Sequence, residues 1–260
     1  MAEILKGTRK EQAEITAALA ALRINISRQR EAEVKTKVSW AHHQRVRKEL
    51  EEMEAPKVFE GDTNTWLFAG PHKGVSVRIK ESVPDDKKIS REFRWTIKFD
   101  SQKEMPGRVL KNKDEIEGAA SLFRSSKEQL RAVLDTLHMP VDLDAHQLMV
   151  GKRRVSYIVP KSEEEKRKNK YKPLQIDLDT FVSVDGKKIV PRYVIEKEDT
   201  SDLSEAVKRK RIDSLAERFK LTISPEYAAL STKGFLIKEG IIKEQYVLEE
   251  SALMKEIDVA

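Results

Sequence analysis

The sequence predicts an α+β fold in which an antiparallel sheet closes into a barrel with helices flanking it. Three observations carry that expectation. Strand-like runs follow one another with few helices between them, whereas a doubly wound parallel sheet would alternate the two. Several of those runs carry charge of one sign at every second position, which gives each strand one charged face. Hydrophobic residues make up 39% of the 260 residues and charged residues 36%, enough for a core only if each element turns one face to it and leaves the other wet.

Residues 1–30 read as a helical extension, because Ile15, Leu19, Leu22 and Ile26 fall along one stripe. The period then changes. Glu31, Glu33 and Lys35 alternate with Ala32, Val34 and Thr36, the signature of a strand with one polar face. Ser39 is placed to cap a second helix over 41–54. Strands are expected at 65–68, 74–81, 93–99 and about 108–117, broken by Pro84 with Asp85 and Asp86 and by Pro106 with Gly107. The stretch SSKEQLRAVLDTL is a helix opened by a capping box of Ser125 and Glu128, with Leu130, Val133, Leu134 and Leu137 on one face. Strands resume at 146–160, 174–184 and 188–197, around a charged loop from Ser162 to Lys170 that is expected to be mobile. A last long helix spans 203–219, with Leu203, Val207, Leu215 and Phe219 inward and Lys208 to Arg211 outward. Ser224-Pro225 opens a further helical piece. The expected organisation is thus a helical extension over 1–30, a barrel domain over 31–220 and a C-terminal helical segment over 221–260 packing on the barrel.

Composition and motifs exclude several classes. The chain has no cysteine, which removes disulfide scaffolds, thiolate nucleophiles and Cys-ligated metals. No P-loop, dinucleotide fingerprint, H-E-x-x-H or G-x-S-x-G occurs. His42, His43, His72, His138 and His146 are scattered without ligand spacing and read as solvated or capping residues. No apolar run approaches the roughly 18 residues that a bilayer span requires, and the N-terminus is charged where a signal peptide is apolar, so a soluble cytoplasmic protein without a membrane partner is expected. A net charge of +6 favours an anionic partner.

The strand charges refine that partner. Acidic pairs stand two residues apart at Glu31 and Glu33, Glu115 and Glu117, Asp177 and Asp179, and Glu196 and Glu198. Basic pairs do so at Arg78 and Lys80 and at Lys152 and Arg154, with Arg94 and Lys98 four apart. Like charges on one strand face repel. Turned into a closed barrel, however, acidic and basic walls would confront each other across a polar lumen. Carboxylates suit Mg²⁺ or Mn²⁺, and Lys and Arg suit polyphosphate oxygens.

In this pattern the chain resembles the CYTH superfamily of triphosphate tunnel metalloenzymes. The resemblance lies in Glu31-Ala32-Glu33-Val34-Lys35 as E-x-E-x-K, in Val77-Arg78-Ile79-Lys80, in Trp95-Thr96-Ile97-Lys98 and in Glu115-Ile116-Glu117. It continues through Lys152, Arg154 and Tyr157, Leu178-Asp179, and the run from Tyr193 to Glu198, in that order over roughly residues 31–235. The strand at Gly61 to Trp66 departs from the family pattern in lacking an aromatic before Asp62, and the late E-x-E is shifted relative to its hydrophobic neighbours.

The resemblance implies an eight-stranded antiparallel β tunnel that hydrolyses a triphosphate with Mg²⁺ or Mn²⁺. It implies Glu31, Glu33, Glu196 and Glu198 as metal ligands, with Glu117 and Asp179 as further ones. Arg78, Lys80, Arg94, Lys98, Lys152 and Arg154 would grip phosphates, and Glu31, Glu33 and Lys35 would form the catalytic group. Asp177 reads equally as a solvated residue or a ligand. The substrate would be inorganic triphosphate, a nucleoside triphosphate, thiamine triphosphate or an RNA 5′-triphosphate end. An adenylate cyclase on the same scaffold and a non-catalytic phosphate or RNA 5′-end binder are the alternatives. A helical partner-docking role for residues 1–30 and for Lys208 to Arg211 is a third. The sequence does not set the oligomeric state.

Overall fold

The computed structural model describes residues 17–24, 27–71, 75–100, 111–161, 165, 167, 171–201, 203–228 and 230–243. Eight strands form, β1 (Ser27–Val38), β2 (Lys57–Phe68), β3 (Val75–Pro84), β4 (Glu92–Asp100), β5 (Lys111–Ala120), β6 (His146–Val159), β7 (Leu174–Val184) and β8 (Lys187–Asp199). The helices are α1 (Trp40–Glu52), α2 (Phe123–Thr136), α3 (Glu205–Arg218), α4 (Pro225–Ala228) and α5 (Thr232–Lys238). All ladders are antiparallel and run in the order β1-β5-β4-β3-β2-β6-β7-β8, with β8 pairing back to β1. Each strand therefore has two partners, and the ring of ladders exposes no free edge.

Period two divides the side chains between inside and outside. On β3 and β4, Val77, Ile79, Trp95 and Ile97 face outward and pack under Leu130, Val133 and Leu134 of α2. Gly118 on β5 makes room for that packing, since a Cβ there would lie 2.5 Å from the Trp95 ring. Val46 and Leu50 of α1 and Leu215, Ala216 and Phe219 on and just after α3 cover Val155, Tyr157, Ile176, Leu178 and Ile195 on β6, β7 and β8. Phe235 and Leu236 of α5 close on Leu148, Val150, Phe181 and Val194, with the Phe181 and Phe235 rings stacked at 4.9 Å. Apolar burial on the outer face thus frees the inner face for charge. Among the described residues no helix is long and apolar enough to cross a membrane.

Several expectations are corrected. Residues 27–30 belong to β1, not to the preceding helix, because they pair with Asp114 to Glu117 of β5. The described helical stretch there is 17–21, and Arg23 at φ 53° turns the chain out of it. Leu19 and Leu22 do pack on the α2 cluster, while Ile15 and Ile26 lie outside the described residues. β2 starts at Lys57, well before 65, because a run of poor strand formers from Glu60 to Asn64 is held by ladders to β3 and β6. The capping box of α2 does not form. The helix starts two residues earlier after Leu122, Glu128 accepts from Arg124 Nε at 2.9 Å, and Ser126 Oγ donates to the Phe93 carbonyl. Lys208 and Arg211 of α3 are buried rather than outward. His43 is buried against Trp40 and Tyr193 with neither ring nitrogen hydrogen-bonded, and burial lowers its pKa to about 4. The break at Pro106-Gly107 and most of the loop 162–170 lie outside the described residues.

Candidate active site: a charged lumen

The inward side chains enclose a cavity of about 430 Å³ to which all eight strands contribute. Its acidic wall is built on β1 and β8. Glu33 lies opposite Glu198 and Lys35 opposite Glu196 across that ladder, so two glutamates of β8 and one of β1 converge. One carboxylate oxygen from each of Glu33, Glu196 and Glu198 lies within 4.8 Å of the others. Lys35 Nζ bridges two of them, at 2.8 Å from Glu33 and 2.5 Å from Glu196. Burial works against the charge of Lys35, but those two carboxylates outweigh it and hold the ammonium above the ordinary lysine range. Glu198 is different. Among the described residues no cation stands within 4.0 Å of it, and burial together with Asp177 and Glu196 pushes its carboxyl up to about 8.

The remaining walls are basic, and most of their cations are already engaged. Arg154 makes a two-pronged bond to Asp179, Nε at 2.6 Å and Nη2 at 2.7 Å, reaches Glu196 at 3.2 Å and ion-pairs with Asp177. Lys152 Nζ donates to Asp179 at 2.9 Å. Burial opposes the Asp179 charge, yet Arg154 and Lys152 hold it below the usual carboxylate range. Lys98 pairs with Glu115 and stands 3.8 Å from Glu33, and Arg94 lies 3.5 Å from Glu117.

Arg78 and Lys80 on β3 are the exception. Among the described residues neither has a carboxylate within 4.0 Å, and Arg78 Nε is buried without a hydrogen-bond partner. Burial, followed by the charges of Arg154 and Arg78, lowers Lys80 to about 8. Reading β3-β2-β6-β7-β8 round the ring places these two cations on the wall facing the glutamates.

The structure therefore gathers into one lumen Glu33, Lys35, Arg78, Lys80, Arg94, Lys98, Glu117, Lys152, Arg154, Glu196 and Glu198. Glu31 sits on β1 at the register of Lys113, and its side chain lies outside the described residues. Glu117 and Asp179 are engaged by Arg94 and by Arg154 with Lys152, apart from the three converging glutamates. Sequence reasoning left Asp177 undecided, and it is fully buried on the inner face. It also passed over Glu115 as a partner of Lys98, although the alternation with Glu117 carried the signal. Ser231, Thr232 and Lys233 at the start of α5 line the same cavity; the resemblance extended to the segment from Lys233 to Leu236 without giving it a role, and nothing in the local pattern announced Ser231 and Thr232.

The donor set fits a hard divalent cation. Three carboxylates each offer one oxygen within 4.8 Å of the others, Lys35 offsets only part of their charge, and oxygen ligands match Mg²⁺ or Mn²⁺. Opposite them, unpaired Arg and Lys match phosphate oxygens.

No family model and no curated protein sequence matches the chain. Solved structures do. HpAC1 from Hippeastrum, a candidate adenylyl cyclase with a dominant triphosphatase activity, superposes with a TM-score of 0.51 at 14% identity, over 81% of this chain and 96% of that one. The chain shares the fold of that protein. The mimivirus capping-enzyme triphosphatase aligns to this barrel with a TM-score of 0.46 at 9% identity, over 82% of this chain and 98% of that one. The Mediator head module of Schizosaccharomyces pombe aligns at 0.45 and 6%, over 74% and 94%.

Proposed function

We propose that the chain is a divalent-metal-dependent triphosphatase whose barrel serves as a tunnel for a linear triphosphate. The substrate is inorganic triphosphate, a nucleoside triphosphate, thiamine triphosphate or an RNA 5′-triphosphate end. One observation carries the reading: three converging carboxylates face two half-buried cations, Arg78 and Lys80, that among the described residues have no carboxylate within 4.0 Å. A polyphosphate laid between them with a cation satisfies both walls at once. The likeness to HpAC1 supports the scaffold and leaves the chemistry to the side chains.

In this reading Glu33, Glu196 and Glu198 hold Mg²⁺ or Mn²⁺, with Glu31 on the same alternation of β1. The bound ion supplies charge neutralisation at phosphate oxygens and a more acidic water. Arg78 and Lys80 bind the phosphate chain. Lys98, Lys152, Arg154 and Arg94 exchange carboxylate partners for phosphate oxygens and so stabilise charge as it moves to the leaving oxygen. Lys35, fixed between Glu33 and Glu196, keeps the two carboxylates apart and charged.

The test is phosphate release from tripolyphosphate, ATP, thiamine triphosphate and triphosphate-ended RNA with Mg²⁺ or Mn²⁺ and with chelator. Chelator-sensitive release from at least one of them is expected. A folded protein that releases no phosphate from any of them overturns the reading, and pyrophosphate with cyclic AMP from ATP replaces it with a cyclase.

A further inference from the structure

Arg211 lies in the basic run of α3 that the sequence presents as a solvated face, yet it is buried beneath that helix. Its guanidinium is used on every side. Nη1 donates to Asp199 Oδ2 at 2.5 Å and to Ser201 Oγ at 3.3 Å, Nη2 donates to the Lys172 carbonyl at 2.7 Å, and Nε donates to Glu165 at 2.6 Å. Asp199 is itself fully buried and also accepts from the Ser201 backbone N–H at 2.9 Å.

The position of Asp199 gives this network its consequence. It is the last residue of β8 and follows Glu198 directly, with its side chain on the outer face where Glu198 is on the inner one. On the other side of Glu198, Lys197 is also fully buried on the outer face and donates to Thr36 Oγ1 of β1 at 2.7 Å. Glu198 is thus bracketed by two buried, hydrogen-bonded neighbours at the end of a strand, where the ladder is least able to hold the backbone. It needs that support because Lys35 bridges Glu33 and Glu196, whereas among the described residues Glu198 has no cation within 4.0 Å to hold it in place.

We propose that Arg211 is a positioning residue for the metal site: through Asp199 it fixes the end of β8 so that Glu198 stays beside Glu33 and Glu196. The proposal rests on the metal-site reading given under the proposed function. Arg211 touches neither metal nor substrate. It acts as the outer support that orients a ligand, and loss of such supports typically weakens metal binding about 10- to 100-fold.

The experiment is calorimetric titration of Mn²⁺ into wild type, Arg211→Gln, Arg211→Lys, Asp199→Asn and Leu130→Ala, each with a thermal melt. Leu130 of α2 packs on the outer face of β3 and β4, on the far side of the barrel, and serves as the control for lost stability alone. The expected result is Mn²⁺ affinity lowered about 10- to 100-fold in Arg211→Gln, lowered less in Asp199→Asn, largely restored in Arg211→Lys and unchanged in Leu130→Ala. If Arg211→Gln does not fold, Asp199→Asn and Arg211→Lys carry the comparison. Wild-type Mn²⁺ affinity in the folded Arg211 and Asp199 variants overturns the positioning role and leaves the metal site standing. A wild type that binds no Mn²⁺ overturns the metal site, and the positioning role with it.

Discussion

The glutamate wall of β1 and β8 and the facing strand β3 carry opposite charge and are balanced in opposite ways. On β8, Glu196 is satisfied by Lys35 and Arg154, and only Glu198 is left to be neutralised. On β3, Arg78 and Lys80 have no carboxylate at all. An isolated protein would be more stable with both walls paired, since a buried charge without a partner is costly. The imbalance makes sense as preparation for a ligand that brings negative charge to one wall and positive charge to the other. In the proposed function the two walls of a single lumen would divide recognition of a metal-bound polyanion between them.

The comparison breaks most completely if the acidic wall is removed. Glu33→Ala with Glu196→Gln should abolish metal-dependent phosphate release, a fall of at least about 10³-fold, while circular dichroism remains that of the wild type. Loss of the fold in that variant would show that the glutamates are structural.

Emptying the basic wall should act on binding more than on turnover. Arg78→Ala removes charged hydrogen bonds of about 1.5–3 kcal/mol, so KM for the triphosphate should rise roughly 10- to 100-fold. Lys80→Met should weaken binding in the same direction and raise the melting temperature, because the wild-type ammonium is partly desolvated beside the like charges of Arg154 and Arg78. A Lys80→Met protein that melts lower than wild type would contradict the unpaired state assigned to β3.

The pH dependence sharpens the same contrast. Folded Lys80 titrates at about 8, below its ordinary 10.5. Its cost to the fold is therefore fully present below pH 8 and is relieved as pH rises toward 10.5. Bound phosphate restores the ammonium, so triphosphate binding near pH 8 should take up protons, and affinity should fall as pH rises through that range. Calorimetry of metal-free tripolyphosphate binding in two buffers of different ionisation enthalpy, comparing wild type with Lys80→Met, reads the proton count, and equal uptake in the two proteins would remove Lys80 from the contact.

The smallest effect on the site should come from the outer face. Leu130→Ala, on the buried face of α2, should lower stability by about 2–5 kcal/mol in a denaturant titration. It should leave KM and metal dependence near wild type, because the lumen and the α2 core occupy opposite faces of the same strands.

Much of this architecture was legible in the sequence because the barrel imposes a strict period of two. Glu33 with Lys35, Arg78 with Lys80, and Glu196 with Glu198 announced their inner faces by alternation alone, and β7 was bounded at Leu174 and Val184 as observed. The first half of β2 was not, because ladders on both sides override the weak strand preference of Gly61, Asp62 and Asn64. Arg211 was misread for a different reason. Charge on a helix predicts a wet face only when no buried carboxylate waits beneath it, and Asp199 comes from an element twelve residues away, as the Arg211–Asp199 ion pair shows. Which cations remain unpaired is likewise a property of register and geometry, so Arg78 and Lys80 looked no different from Lys152 and Arg154.

The most direct measurement is a crystal structure of the protein with Mn²⁺ and tripolyphosphate, with the metal located by its anomalous scattering. The account predicts Mn²⁺ bound by Glu33, Glu196 and Glu198 and phosphate oxygens in contact with Arg78 and Lys80. Metal bound away from those glutamates, or a triphosphate bound outside the barrel, would contradict it.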